Sequence, residues 1–90
     1  MSRKQNIIAS TIKANIIDQN LTAIGVMDLD ALKKTVDDVY QAFPANFFHT
    51  FAVKANALVK VLASLREYGM GAEVASPGEL MIARAAGYNT

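Results

Sequence analysis

The second half of this 90-residue chain alternates short apolar, β-rich segments with amphipathic segments, and this alternation constrains the fold more than any other feature. Four segments are predicted in order: strand 47–55, helix 57–68, strand 71–75 and helix 77–86. Strands separated by helices pair in parallel, because a parallel pair needs a long crossover connection and a helix supplies it. The chain is therefore predicted to have an α/β fold.

The first half is predicted to add a helix over 5–18, a strand over 22–27 and a helix over 29–43. The two helices have apolar residues near helical spacing, and Pro44 stops the second. The strand prediction depends on a short apolar run that Gly25 interrupts. Two or three parallel strands cannot cover their own edges and faces. Since a complete (β/α)8 barrel needs about 250 residues, we expect the chain to be the N-terminal portion of such a barrel.

Composition excludes several classes of function. The chain is 52% apolar and 19% charged, as in globular proteins. Its formal net charge of +1 does not indicate binding to nucleic acid or to a membrane surface. Cysteine is absent and His49 is the single histidine, so no disulfide, thiolate nucleophile or metal site is predicted. No apolar run approaches membrane-spanning length, and no apolar leader segment follows the basic start. The expected location is the cytoplasm.

Lys54 is the residue that most strongly suggests chemistry, because it closes the apolar run that begins at Phe47. A lysine at the end of a buried strand is costly to desolvate unless it is paired or neutral, and a neutral lysine is a nucleophile that can anchor a carbonyl compound. The alternative is a lysine whose ammonium group reaches from the strand end into water. The other five lysines lie in amphipathic or polar stretches: Lys4, Lys13, Lys33, Lys34 and Lys60.

Strand alternation predicts which side chains accompany Lys54. If Lys54 faces a barrel interior, two other residues of its strand do so as well, and three face the helices. The interior set is Thr50, Ala52 and Lys54, and the helix-facing set is Phe51, Val53 and Ala55. On the next strand, Ala72 and Val74 fit the helix layer, so Glu73 points inward near Lys54. A buried glutamate beside a buried lysine is either an ion pair or a functional site.

Glu79 has a structural interpretation at this stage. Ser76 as N-cap, Pro77 at the first helical position and Glu79 at the third form a helix-start signal with a capping box. His49 lies on the helix-facing side of its strand, and we expect its role to be structural.

The sequences of three segments resemble those of one enzyme family. Residues 51–56 (FAVKAN) resemble the pyridoxal-phosphate lysine signature of the ornithine/diaminopimelate/arginine decarboxylases, which are fold-type III enzymes with an alanine-racemase-like barrel. Residues 71–80 (GAEVASPGEL) resemble the family segment one strand later. Residues 26–32 (VMDLDAL) resemble the strand and helix start that precede the lysine. The three blocks have the family's order and together cover residues 22–88.

The resemblance implies roles for four residues. Lys54 would hold pyridoxal 5′-phosphate as an internal Schiff base, and the cofactor would act as the electron sink while an amino-acid substrate loses carbon dioxide. Ala52 would lie against the cofactor ring. Glu73 occupies the position of an acid near the lysine nitrogen, where the family most often has Asp. Glu79 matches a second acid near the cofactor, and this role is compatible with its place in the capping box.

The resemblance also implies parts of the site that these 90 residues do not contain. The family has a glycine-rich phosphate loop, an acid on the pyridine nitrogen, a histidine stacked on the ring and a C-terminal β-domain. In the family, substrate contacts cross the interface of a homodimer. We therefore expect the isolated chain to be inactive.

The substrate class is narrowed but stays open. Lys54-Ala55-Asn56 together with the second block resembles the diaminopimelate decarboxylases of lysine biosynthesis more than the ornithine decarboxylases, so a diamino acid is expected. Residues 21–25 depart from the usual entry to the first strand, which leaves a related diamino acid or a carboxylated polyamine open. Two alternatives are an amino-acid racemase of the same fold, although residues 57–59 lack its Tyr-Gly, and a truncated non-catalytic homologue that binds a full-length decarboxylase.

Overall fold

The computed structural model describes residues 2–89. Within them the elements, in chain order, are α1 (Arg3–Lys13), α2 (Leu29–Ala42), β1 (Thr50–Ala52), a 3-10 turn (Val53–Ala55), α3 (Val59–Glu67), β2 (Gly71–Glu73) and α4 (Pro77–Ala85).

The two strands form one parallel sheet, with α3 as the crossover between them. Three pairs of residues lie opposite each other: Thr50 and Gly71, Phe51 and Ala72, Ala52 and Glu73. The predicted order of strand, helix, strand and helix is thus confirmed, and so is the parallel pairing. The strands are shorter than the predicted 47–55 and 71–75, because each has a neighbour along three residues and β1 runs directly into the 3-10 turn.

The helices α2, α3 and α4 match their predictions to within two residues at each end, whereas α1 ends at Lys13 and not at the predicted residue 18. The reason is local. Asn15 has a left-handed backbone (φ 58°), which a helix cannot continue through. Asp18 then closes a turn of its own, in which its Oδ1 accepts from the backbone N–H of Asn20 at 2.7 Å.

The predicted strand over 22–27 is wrong, because these residues form irregular chain in the structure. A strand needs a neighbour to satisfy its backbone groups, and this segment is not paired with either strand of the sheet. Its end lies beside α1 instead, where Arg3 Nε contacts Asp28 Oδ2 at 3.2 Å. Asp28 then begins α2, since its Oδ1 accepts from the backbone N–H of Ala31 at 3.1 Å.

The hydrophobic core lies on one face of the sheet and is centred on α3. Leu62, Leu65 and Val53 are its most buried large side chains. As alternation predicted, Phe51 and Ala72 pack against this core from the two strands, and so does Val74, which directly follows β2. Ala55 was predicted to face the helices too, but it is exposed, because strand alternation does not continue through a 3-10 turn.

Two tyrosines join the helices to the start of β2. The Tyr88 hydroxyl donates to the carbonyl of Met70 at 2.7 Å, and the Tyr40 hydroxyl donates to the carbonyl of Gly69 at 3.0 Å. Burial raises the pKa of Tyr88 above its ordinary value, the nearby Arg66 guanidinium opposes this change, and Tyr40 adds to it.

In the part of the chain from residue 2 to 89, no helix is long and apolar enough to cross a membrane.

Candidate functional site

Lys54 lies in the middle of the 3-10 turn Val53–Ala55, which we call the lysine turn, directly after β1. Val53 has no exposed surface and fixes the turn to the core, while Lys54 is exposed. The prediction that Lys54 lies in a buried strand is therefore wrong, and the alternative, an amine that reaches solvent, describes its position. A two-stranded sheet covers its helix-facing side only, so a residue at its other face meets water.

Ala52 and Glu73 share the face of the sheet that points away from the core. Phe51 and Ala72, which directly precede them on the two strands, pack against the core. Because successive residues of a strand project to opposite faces, Ala52 and Glu73 project away from the core. Ala52 is half-buried and Glu73 is exposed, and the two are paired across the sheet. The structure thus pairs Ala52 with Glu73 at the carboxyl ends of adjacent strands, and Lys54 follows Ala52 by two residues in the lysine turn.

No ion pair joins Lys54 to Glu73 within the described residues. The amine and the carboxylate both face solvent, where a single exposed pair contributes little. From the sequence, Glu73 was expected either to form an ion pair with Lys54 or to belong to a functional site. The ion pair is not observed among the described residues. Both groups are exposed and remain available to a ligand.

Glu79 serves the start of α4. Its backbone N–H donates to Ser76 Oγ at 3.1 Å, which is the predicted N-cap bond. Its carboxylate Oε1 accepts from the backbone N–H of Ala75 at 3.2 Å, one residue before the predicted partner Ser76. Glu79 therefore ties the end of the β2 segment to the first turn of α4.

His49 lies away from Lys54, among aromatic rings. Its ring centroid is 4.6 Å from that of Tyr40 and 5.2 Å from that of Phe43, both in edge-on contacts. Its Nε2 is buried, with no hydrogen-bond partner among residues 2–89. The contacts are those of a packing residue, and the structure does not place His49 with the lysine turn.

Asn56 is a residue of this site that sequence reasoning missed. Its backbone N–H donates to the carbonyl of Val53 at 3.1 Å, which closes the lysine turn. Its side-chain Oδ1 accepts from the backbone N–H of Leu58 at 3.1 Å. The available signal was an Asn two residues before a helix start, since Asn commonly accepts a bond from the backbone two residues on.

The arrangement suits a carbonyl compound better than a metal ion. Within the described residues no three Asp, Glu or His side chains are grouped as metal ligands. The exposed primary amine of Lys54 follows Ala52, which is paired with Glu73, and such an amine can instead hold a flat aldehyde through its nitrogen. Parallel α/β proteins generally place their ligands at this carboxyl edge.

Comparison with known proteins identifies the family. Residues 29–90, which are 62 of the 90 residues, match the family described as pyridoxal-dependent decarboxylase, pyridoxal binding domain. A diaminopimelate decarboxylase from Bacteroides thetaiotaomicron is 42% identical over 64 residues, which cover 68% of this chain and 16% of that enzyme. No solved structure matches the chain significantly. Because the family match covers well over half of the chain and includes the lysine turn, Ala52 and Glu73, this chain belongs to the pyridoxal-dependent decarboxylases, over part of their pyridoxal-binding domain, and its cofactor is pyridoxal 5′-phosphate.

Proposed function

We propose that this chain supplies the cofactor-binding lysine of a pyridoxal-phosphate-dependent amino-acid decarboxylase that resembles diaminopimelate decarboxylase, and that Lys54 is that lysine. One observation carries the proposal: Lys54 is a solvent-facing amine at the carboxyl edge of a parallel strand pair, inside the segment that matches the family. Lys60, the other lysine of residues 46–90, lies on α3 and not at a strand end.

The residues of this edge fit the cofactor by size and charge. Pyridoxal phosphate is flat and reacts through an aldehyde, and it needs an accessible amine with open space beside it. The methyl group of Ala52 leaves that space on the sheet face, and the carboxylate of Glu73 stands on the same face. When bound, the cofactor supplies an electron sink for the bond that breaks as carbon dioxide leaves.

The chain's own residues would have distinct tasks in this reaction. Lys54 would hold the cofactor through its amino nitrogen and release it to the amine of the substrate. Glu73 would stabilise positive charge and hold a proton close to that nitrogen, because an opposite charge nearby favours a protonated group. Glu79 would keep the start of α4 fixed beside the strand that carries Glu73, as its bond to Ala75 does in the structure.

We further propose that this α/β unit is the opening part of a (β/α)8 barrel whose remaining strands, phosphate loop and β-domain belong to the same enzyme. The support is a parallel pair with open edges and a relative of which the chain covers 16%. We also propose, from the resemblance to the family and to a diaminopimelate decarboxylase, that the active form is a homodimer in the cytoplasm and that its substrate is a diamino acid.

The proposal is tested on the product of the complete open reading frame that encodes this chain, which we call the gene product. It should release carbon dioxide from diaminopimelate and show a visible absorbance band that borohydride removes. Peptide mapping after borohydride treatment should find the label on Lys54. Lys54→Ala should abolish label and turnover, whereas Lys60→Ala, which removes an exposed lysine on α3, should leave both unchanged.

Two results would contradict the proposal. A borohydride label on another lysine would refute the assignment of Lys54. Racemisation of an amino acid without release of carbon dioxide would refute the decarboxylase. If the gene product has no activity, residues 29–90 can replace the matching segment of the Bacteroides thetaiotaomicron enzyme, and a chimaera that folds but does not label on Lys54 would refute the role of this segment.

A further inference from the structure

The position of Lys54 depends on its backbone. Within residues 2–89 its side chain has no ion-pair or hydrogen-bond partner, and it is exposed. Whatever holds the amine in place must therefore act on the lysine turn. On the N-terminal side Val53 does this, because its side chain is completely buried in the core.

On the C-terminal side the connection runs through Asn56. Its backbone N–H donates to Val53 O at 3.1 Å, so it closes the turn around Lys54. Its side-chain Oδ1 accepts from the backbone N–H of Leu58 at 3.1 Å, and Leu58 is the N-cap residue of α3. The helix start has no other side-chain cap.

The helix that Asn56 contacts is itself firmly anchored. Leu62, one turn into α3, is completely buried, and its backbone N–H donates to the carbonyl of Leu58 at 3.1 Å. A bond from Asn56 to Leu58 therefore transmits the position of the core helix to the lysine turn. Val53 and Leu58 are held on either side, and Asn56 connects them.

We propose that Asn56 is a positioning residue for Lys54, which holds the lysine turn against the start of α3 through its side-chain acceptor. This inference rests on the proposed function for its effect on catalysis, but its structural part does not. The bond needs a side-chain oxygen carried by Cγ, which Asn and Asp provide and Ala lacks. Asn56→Ala keeps the backbone bond to Val53 and removes only the bond to Leu58.

The first readout needs no cofactor. In the cofactor-free gene product, Asn56→Ala should speed hydrogen exchange of the Leu58 amide by about tenfold, because one net hydrogen bond is worth about a factor of ten in an opening equilibrium. Asn56→Asp should restore most of the protection. Asp18→Ala is the control, since it removes side-chain-to-backbone bonds of the same kind outside the matched segment: Asp18 Oδ1 accepts from the backbone N–H groups of Asn20 and Leu21.

The second readout is geometric. With the cofactor bound, Asn56→Ala should lower kcat by about tenfold to a hundredfold and weaken the visible circular dichroism of the cofactor, because a displaced reacting group loses its alignment. The KM for the substrate should change much less than kcat. Asn56→Asp should recover both signals, and Asp18→Ala should change neither.

Each outcome decides the inference. Unchanged exchange at Leu58, or unchanged kcat and circular dichroism in Asn56→Ala, would overturn it. An Asn56→Asp protein as impaired as Asn56→Ala would overturn the role of the acceptor, and this comparison also covers the case in which Asn56→Ala folds poorly. If the wild-type protein carries no label on Lys54, the proposed function fails, yet the exchange of Leu58 still decides whether Asn56 holds the turn.

Discussion

Ala52 and Glu73 lie directly opposite each other at the carboxyl ends of β1 and β2. Neighbouring strands are about 4.8 Å apart, and paired residues of a parallel sheet project on the same face. A methyl group and a carboxylate therefore stand side by side, and Ala52 precedes Lys54 by two residues. The first two predictions start from this relationship and from the proposed place of the cofactor on this face.

The first prediction concerns the space above Ala52. In the gene product, Ala52→Leu should place a branched side chain where the cofactor ring would rest, and cofactor affinity should fall by about a hundredfold or more, as expected for a steric clash in a closely packed site. Titration of the apoprotein with pyridoxal phosphate, followed by absorbance, measures the change.

The control for this substitution is Ala42→Leu, which enlarges an exposed alanine at the end of α2. It should bind the cofactor as the wild type does. Equal affinity in Ala52→Leu and the wild type would show that the ring does not lie against Ala52.

The second prediction concerns the carboxylate of Glu73. Glu73→Gln should lower kcat by about 10²-fold, the usual size of a lost proton-transfer or charge-stabilising group. A negative charge favours the protonated state of a neighbouring nitrogen, so its removal should move the pH midpoint of the visible absorbance band to lower pH. Spectrophotometric pH titration and steady-state kinetics measure the two effects.

Glu67→Gln removes an exposed carboxylate at the end of α3 and is the matched control. It should change neither kcat nor the absorbance midpoint. If Glu73→Gln behaves in the same way, Glu73 has no part in the chemistry of this edge.

The sequence predicted those elements whose signals are local. The change from alternating to helical periodicity predicted the order of β1, α3, β2 and α4, and Ser76 with Pro77 marked the start of α4 within one residue. Helix-facing Phe51, Ala72 and Val74 followed from strand alternation.

The errors have a common origin in interactions that a linear pattern does not contain. Residues 22–27 are apolar enough for a strand, but a strand exists only beside a partner, and the pattern does not show whether one is present. The lysine turn was assigned to a strand because residues 47–55 form one apolar run, whereas the bond from Asn56 to Val53 turns the chain after Ala52. The exposure of Lys54 follows from that turn and from the open sheet face.

The third prediction concerns Tyr88 at high pH. Burial raises the pKa of its hydroxyl above 10.0 in the folded protein, with Arg66 opposing and Tyr40 adding to the change. The folded state thus holds this proton more tightly than the unfolded state, so the resulting stability is fully present below pH 10 and is lost as pH rises through the folded pKa. The hydroxyl must also be protonated to donate to Met70.

Tyr88→Phe in the gene product should therefore lower the free energy of unfolding by about 0.5–1.5 kcal/mol at pH 8, the net value of one hydrogen bond. The difference from the wild type should shrink as pH rises above 10. Denaturant unfolding at a series of pH values measures it, with Tyr68→Phe as a control for the loss of a tyrosine hydroxyl. A difference that is constant up to the highest pH would contradict the prediction.

The last prediction concerns the 90-residue chain studied alone. Its two-stranded sheet has open edges, and several large apolar side chains are exposed, with Phe48 at 74% and Leu58 at 63%. Unpaired strand edges and exposed apolar groups favour association between copies. We expect concentration-dependent association in sedimentation velocity, helical circular dichroism, a non-cooperative thermal transition and no release of carbon dioxide from diaminopimelate. Phe48→Lys should reduce the association, because a charge beside β1 opposes edge-to-edge pairing, whereas Lys4→Ala in α1 should not. A monomer that melts cooperatively and decarboxylates an amino acid unaided would contradict both this prediction and the proposal that the chain is part of a larger barrel.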